Sequence, residues 1–113
     1  FLGKPVVATG WSGNLEFMTP RNSCLVDHRP VTLERDIGPY ERGQIWAEPD
    51  LDHAAGLMGE LAQSPEHART IGEAGRHTIH TELAPERIGE LYRERLHAIG
   101  RVPAASRLYR PAA

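Results

Sequence analysis

The chain has a single cysteine, few aromatic side chains and no long apolar run. One thiol, Cys24, cannot close an internal disulfide, so no disulfide framework holds this fold. Cys24 lies in Ser23-Cys24-Leu25-Val26, which reads as a buried strand. Free cysteine is among the most buried residue types, so a core thiol is expected rather than a reactive one. No apolar run approaches the roughly 18 residues that a membrane helix needs, and no integral membrane segment is expected. The opening residues carry neither the basic segment nor the apolar core of a signal peptide. A cytoplasmic location follows as the expectation. Lys and Arg number 13 against 15 Asp and Glu, a net charge of −2. Without a basic excess there is no general pull toward nucleic acid or an anionic membrane, and no nucleic-acid partner is expected.

Several motifs are missing too. There is no G-x-G-x-x-G dinucleotide fingerprint and no G-x-x-x-x-G-K-[ST] phosphate loop. No Ser-His-Asp or Cys-His set stands out. The six histidines do not cluster at metal spacing. His77 and His80 are three apart, while His28, His53, His67 and His97 are scattered, and solvated surface is their default reading. No metal or other cofactor is expected.

What is present suits one domain of ordinary size, with 113 residues, 40% hydrophobic and 25% charged. The most informative stretch runs from Lys4 to Glu16. Val6, Val7 and Ala8 form a short apolar run, as a strand covered on both faces does. Pro5 cannot donate to a ladder and suits a strand's first residue. Gly10 and Gly13 then open conformations that a Cβ resists. In a parallel sheet, ligands bind beyond the carboxyl ends of the strands, which puts this loop where a ligand sits. The same letters also describe an ordinary tight turn. Trp11 suits stacking on a base or sugar ring, or a wedge between layers. Asn14 suits a substrate contact or a cap. Glu16 either accepts from a ligand hydroxyl or bonds the loop's own amides. Lys4, Arg21 and Arg29 offer charge to a phosphate, or are plain surface.

Along the chain, Gly3 resembles a glycine that ends a helix, so Phe1-Leu2 reads as a helix tail and the chain as a fragment of a longer polypeptide. Leu15, Phe17 and Met18 predict a short helix capped by Ser12 or Asn14 and ended near Pro20. Cys24-Leu25-Val26 is the expected second strand, paired with the first through a short crossover. Residues 27 to 44 read as irregular, with a brief extended piece at Val31-Thr32-Leu33. Gln44-Ile45-Trp46-Ala47 reads as a third strand stopped by Pro49. A loop this long is often functional or mobile.

From Asp50 the reading is helical. Asp50 is an N-cap, and Leu51, Ala54, Ala55, Met58, Leu61 and Ala62 form an apolar face. Ser64-Pro65-Glu66 opens a second helix with an inner face of Ala68, Ile71, Ala74 and Ile79, although Gly72 and Gly75 lower its propensity. Ala84-Pro85-Glu86 opens a third, with Ile88, Leu91, Tyr92, Leu96 and Ile99 apolar and Gly100 as its stop. Glu48, Asp50 and Asp52 suit paired acid/base chemistry, but capping and dipole matching explain them more simply. Residues 101–113 read as a tail or docking arm. The expected class is α/β, with short parallel strands covered by helices and the C-terminal helices dominant.

Leu2-Gly3-Lys4-Pro5-Val6-Val7-Ala8-Thr9, followed by Ser12-Gly13-Asn14-Leu15-Glu16, resembles the last part of the C-terminal domain of retaining GT-B glycosyltransferases, the glycosyl transferases group 1 family. Asn22-Ser23-Cys24-Leu25-Val26 resembles that family's next strand. Asp50 through Ile79, with Ser64-Pro65-Glu66 and Ile71-Gly72-Glu73-Ala74-Gly75-Arg76, resembles the two helices that follow. The likeness implies a Rossmann-like half-domain over residues 1–100 that holds part of a nucleotide-sugar site. It implies a parent enzyme that moves the sugar to an acceptor with retention and without a metal. The implied donor edge is Thr9, Gly10, Ser12, Gly13 and Asn14, with Glu16 bracing the loop.

The family's hallmark E-x7-E pair precedes the Leu-Gly-x-Pro segment, and neither acid lies in this chain. Glu16 is not one of them. No catalytic residue is assigned, and the fragment is expected to be inactive without the N-terminal domain of its parent. The segment from 28 to 47 is longer than the family's compact turn and reads as a subgroup insertion. Two other readings stand beside this one. The first is an association module whose open sheet edge pairs with another copy. The second is a Rossmann-like ligand-binding domain of another group.

Overall fold

Val7-Ala8-Thr9 and Cys24-Leu25-Val26 are short, β-prone and close in sequence, and they lie side by side. β1 (Val7–Thr9) and β2 (Cys24–Val26) pair in parallel, with Val7 opposite Cys24 and Thr9 opposite Val26. This is the pairing the sequence predicts. A parallel pair needs a crossover, and a 3-10 turn at Ser12–Glu16 lies within it. β1 is half-buried rather than covered on both faces, and Val6 is exposed. The structure is a computed structural model that describes residues 1–100. The tail expected over 101–113 lies outside the described residues.

Residues 27 to 44 bring the main correction. β3 (His28–Thr32) and β4 (Ile45–Pro49) form an antiparallel ribbon, with His28 opposite Pro49 and Thr32 opposite Ile45. Backbone bonds of 2.9 Å from Leu33 to Gln44 and from Gly43 to Leu33 extend it. The tip closes at Ile37-Gly38-Pro39-Tyr40, where Ile37 and Tyr40 exchange backbone bonds of 2.9 and 3.1 Å. Gly38 at φ +58 and Gly43 at φ +90 supply the left-handed positions this path requires. Pro30 and Pro49 lie inside strands because a two-stranded ribbon is all edge, and each strand keeps one row of backbone groups outside the ladder. Treating proline as a breaker hides the ribbon.

α1 (Leu51–Gln63), α2 (Pro65–Thr81) and α3 (Pro85–Ala98) start where their caps predict. Asp50 Oδ1 accepts the His53 amide at 2.9 Å. Gly100, at φ +67, follows α3 as its expected stop. α1 packs on β1 and β2, but on a rotated face. Leu51 and Met58 are 74% and 55% exposed, while the inward line is His53, Ala54, Leu57 and Leu61.

α2 docks through its glycines. Buried Gly72 lies against the backbone of Gly3 and Lys4, and Gly75 lies against the Asn22 carbonyl. Asn22 Nδ2 also donates to Thr78 Oγ1 at 3.0 Å. Met18, Cys24, Val26, Leu33 and Ile71 are the buried apolar residues. The described residues form two compact units, Phe1–Ile79 and His80 onward. In the second, Leu91, Tyr92, Leu96 and Ile99 stay exposed, although their spacing marks an apolar stripe. Spacing identifies a face without identifying what covers it.

Among the described residues the architecture is mixed α/β, with three helices, one parallel pair and one antiparallel ribbon. None of these helices is long and apolar enough to cross a membrane.

Candidate functional site

The chain leaves β1 at Thr9 and turns sharply. The Gly10 amide donates to Val26 O at 2.9 Å and extends the ladder past the strand. The Trp11 amide then bonds back to Thr9 O at 2.8 Å. Ser12 sits at φ +64, in the left-handed region. For a residue with a Cβ, this conformation costs about 1–2 kcal/mol. The sequence assigns such freedom to Gly10 and Gly13, yet neither adopts a positive φ. The turn's geometry places the burden one residue before Gly13.

Asn14 holds that geometry in place. Its Nδ2 donates to Thr9 O at 2.9 Å and reaches Met18 Sδ at 3.5 Å. Its main-chain carbonyl accepts from the Met18 amide at 2.8 Å. Met18 is buried, so the loop is tied to the core from inside. Two expectations need correction here. Trp11, not Ser12 or Asn14, occupies the cap position, and it makes no side-chain cap bond. Glu16 is exposed and braces no loop amide; the side chain that bonds the loop is Asn14, through the Thr9 carbonyl. Asn14 Oδ1 is buried without a hydrogen-bond partner. Such an orphan costs about 1–3 kcal/mol.

The end of β2 supplies the other wall. The His28 ring meets Trp11 edge-on, with centroids 5.1 Å apart and planes at 68°. The rotated face of α1 brings His53 to Asp27. His53 Nδ1 lies 3.1 Å from the Asp27 amide nitrogen and 3.1 Å from Asp27 Oδ2. With a free lone pair, Nδ1 accepts the amide. Protonated there, it pairs with the carboxylate. The Asp50 amide donates to Asp27 O at 2.8 Å, which fastens the start of α1 to the end of β2. Read as scattered surface in the sequence, His28 and His53 instead sit at the carboxyl edge. The signal for His53 was its i, i+4, i+8 line with Leu57 and Leu61.

Thr9, Gly10, Ser12, Gly13 and Asn14 therefore gather at the carboxyl end of the parallel pair, with Asp27, His28 and His53 alongside. Ser12 is exposed, and a Cβ at Gly13 would meet nothing within 4 Å. A ligand can thus approach the backbone closely there. The rim offers a hydroxyl, two imidazoles and a carboxylate, a set suited to polar groups of a ligand. Lys4 and Arg21 precede β1 and β2 and so lie toward the amino ends, while Arg29 stands on the ribbon.

Cys24 is buried in β2, as expected. Burial first, and the charge of Glu60 second, raise its thiol above the usual range, which disfavours the reactive thiolate. Among the described residues, no group of three His, Cys, Asp or Glu side chains is placed to hold a metal ion. An apolar hollow lined by Lys4, Val6, Phe17, Met18, Asn22 and Ile79 lies at the amino ends of the strands. Parallel sheets use the opposite end for ligands. Comparison with protein families, curated proteins and solved structures found no match. Function therefore rests on the residues of the loop and their geometry.

Proposed function

We propose that Thr9–Glu16 is the donor edge of a nucleotide-sugar site, in a Rossmann-like half-domain of a retaining GT-B glycosyltransferase. The observation that carries this reading is the parallel β1–β2 pair with an uncovered backbone at Gly13 beyond its carboxyl end. The order of the sequence words from Leu2 to Ile79, which resembles that family, supports it. In this reading, Gly13 allows the donor's diphosphate or sugar to approach the main chain. Ser12 offers its hydroxyl, and Asn14 holds the turn in shape from beneath. His28 and His53 add ring nitrogens at the rim. These residues bind and orient the donor, while a facing domain brings the acceptor.

The test is a chemical-shift titration of the intact chain with nucleoside diphosphates and their sugars. Shifts at Thr9 to Asn14, His28 and His53 are expected for one base in preference to the others. A folded sample that shows no shift there up to about millimolar donor, near −4 kcal/mol of binding, defeats the reading.

Association is the second reading, favoured by the β1 edge. Among the described residues β1 has a strand on one side only, and Val6 beside it is exposed. A mass by light scattering that rises with concentration supports pairing between copies. A strict monomer rules it out.

A further inference from the structure

The β3–β4 ribbon carries an aromatic surface that the carboxyl-end loop does not use. Residues opposite one another in an antiparallel pair share a face, and successive residues alternate. Arg29 with Glu48, and Val31 with Trp46, therefore fall on one face. His28 belongs to the other and turns toward Trp11. Beside Trp46 lies Tyr40 from the ribbon tip, with ring centroids 5.2 Å apart and planes tilted by 39°. Trp46 is 39% exposed and Tyr40 47%. Single exposed apolar residues are ordinary, whereas two large rings exposed side by side make one continuous apolar surface. Arg29 and Glu48 are exposed, and among the described residues the ion pairs do not include them. The rim of this aromatic seat thus holds a donor fork and a carboxylate, both unengaged.

We propose that this face binds the ring of a neutral saccharide, with Trp46 and Tyr40 under the sugar and Arg29 and Glu48 at its hydroxyls. A pyranose presents a face of C–H bonds, polarised positive, to the negative face of an aromatic ring. Its edge hydroxyls both donate and accept. Arginine can only donate and ionised glutamate can only accept, so the two together satisfy neighbouring hydroxyls. The rim charges cancel, so a phosphate gains nothing from Arg29 that Glu48 does not oppose. This inference does not depend on the donor reading, since it uses the opposite face of the ribbon from His28. Either can fail while the other stands.

The experiment uses the whole chain, isotopically labelled, with maltotetraose, cellotetraose, chitotetraose and mannotetraose as probes. The indole N–H resonances report on Trp46 and Trp11 separately. The expected result is a shift of Trp46 and Tyr40 by at least one probe, with Trp11 unmoved and a Kd on the order of 1 mM or tighter. Trp46→Ala should weaken binding at least about tenfold, by losing the stacking surface. Arg29→Gln and Glu48→Gln are exposed and outside the core, and each should weaken it several-fold while the rest of the spectrum stays unchanged. Those two variants keep the test decisive if Trp46→Ala fails to fold. The proposal is overturned if no probe moves Trp46 at about 10 mM, or if the rim variants bind as the native chain does. It is equally overturned if Trp46 shifts with protein concentration alone, which would make a second copy the occupant, or if only nucleotides move it.

Discussion

Replacing Gly72 by alanine should destabilise the first unit, although alanine is the better helix former. In an unobstructed helix interior, glycine to alanine gains about 1 kcal/mol. At Gly72 the added methyl would fall inside contact distance of the Gly3 carbonyl oxygen, 2.8 Å from Gly3 C and 3.2 Å from Lys4 C. Carbon atoms pack best at about 3.5–4.0 Å, so the backbone must retreat by roughly 1 Å. Neither wall can swing aside, because both are main chain. Gly3 is itself held at φ +69, and a Cβ there would lie 3.3 Å from Glu73 Oε1. Overpacking a fixed wall costs about 1–3 kcal/mol, and this case belongs at the upper end. The net loss expected for Gly72→Ala is therefore about 2 kcal/mol, or a fall in Tm of roughly 8–16 °C.

Urea unfolding followed by circular dichroism reads the change as a lower midpoint at constant slope. Gly56→Ala on α1 is the control, because its methyl would meet nothing within 4 Å. It should gain up to about 1 kcal/mol. If Gly72→Ala matches Gly56→Ala, α2 does not dock by glycine-to-backbone contact and the packing argument fails.

At Ser12, glycine should be tolerated within about 1 kcal/mol, since relief of the left-handed strain offsets a floppier unfolded chain. Ser12→Val should lose more than that, because a branched Cβ fits this region worst; equal midpoints for the two variants would refute the strain at φ +64. Asn14→Asp turns the donor at Thr9 O into a carboxylate oxygen 2.9 Å from a carbonyl, and should cost about 1–3 kcal/mol at neutral pH, read from the same unfolding curves. Cys24 should resist thiol reagents in the native chain and react readily in urea. Because folding raises its thiol above the ordinary 9.0, the stability tied to it is complete below that pH and is lost as pH rises through the folded value. Cys24→Ala should flatten this part of the pH–stability profile, and an unchanged slope would show that another group titrates.

The helices were legible because their signals are local. Asp50, Pro65, Pro85 and Gly100 act within one turn of where they stand, and each marks a boundary in the structure. The β1–β2 pair was legible because two short apolar runs lie close together along the chain. The ribbon was not, because its evidence is pairwise. Val31 and Trp46 mean little until they face one another, and Pro30 and Pro49 argue against a strand until it proves to be all edge. The use of Gly72 was not legible for the same reason. Its helix propensity is a property of one residue, but its use lies in Gly3, far away in sequence.

The loop shows where local reading stops being sufficient for a site. The loop from Thr9 to Asn14 is legible as the segment that follows β1, because a strand followed by small polar residues is a local pattern. Its internal division of labour was not, because that depends on which atom lies beneath the turn. Asn14 can hold the turn only because Met18 and Thr9 O converge on its amide group, a convergence that no local pattern reveals. Once Asn14 fixes the path, the chain direction at residue 12 is imposed, and a serine carries the strain that a glycine would carry freely. Ser12 is thus kept at φ +64 despite the cost. Glycine would hold the same shape at about the same stability, but without a hydroxyl. A serine keeps both the shape and an exposed hydroxyl beside an uncovered backbone.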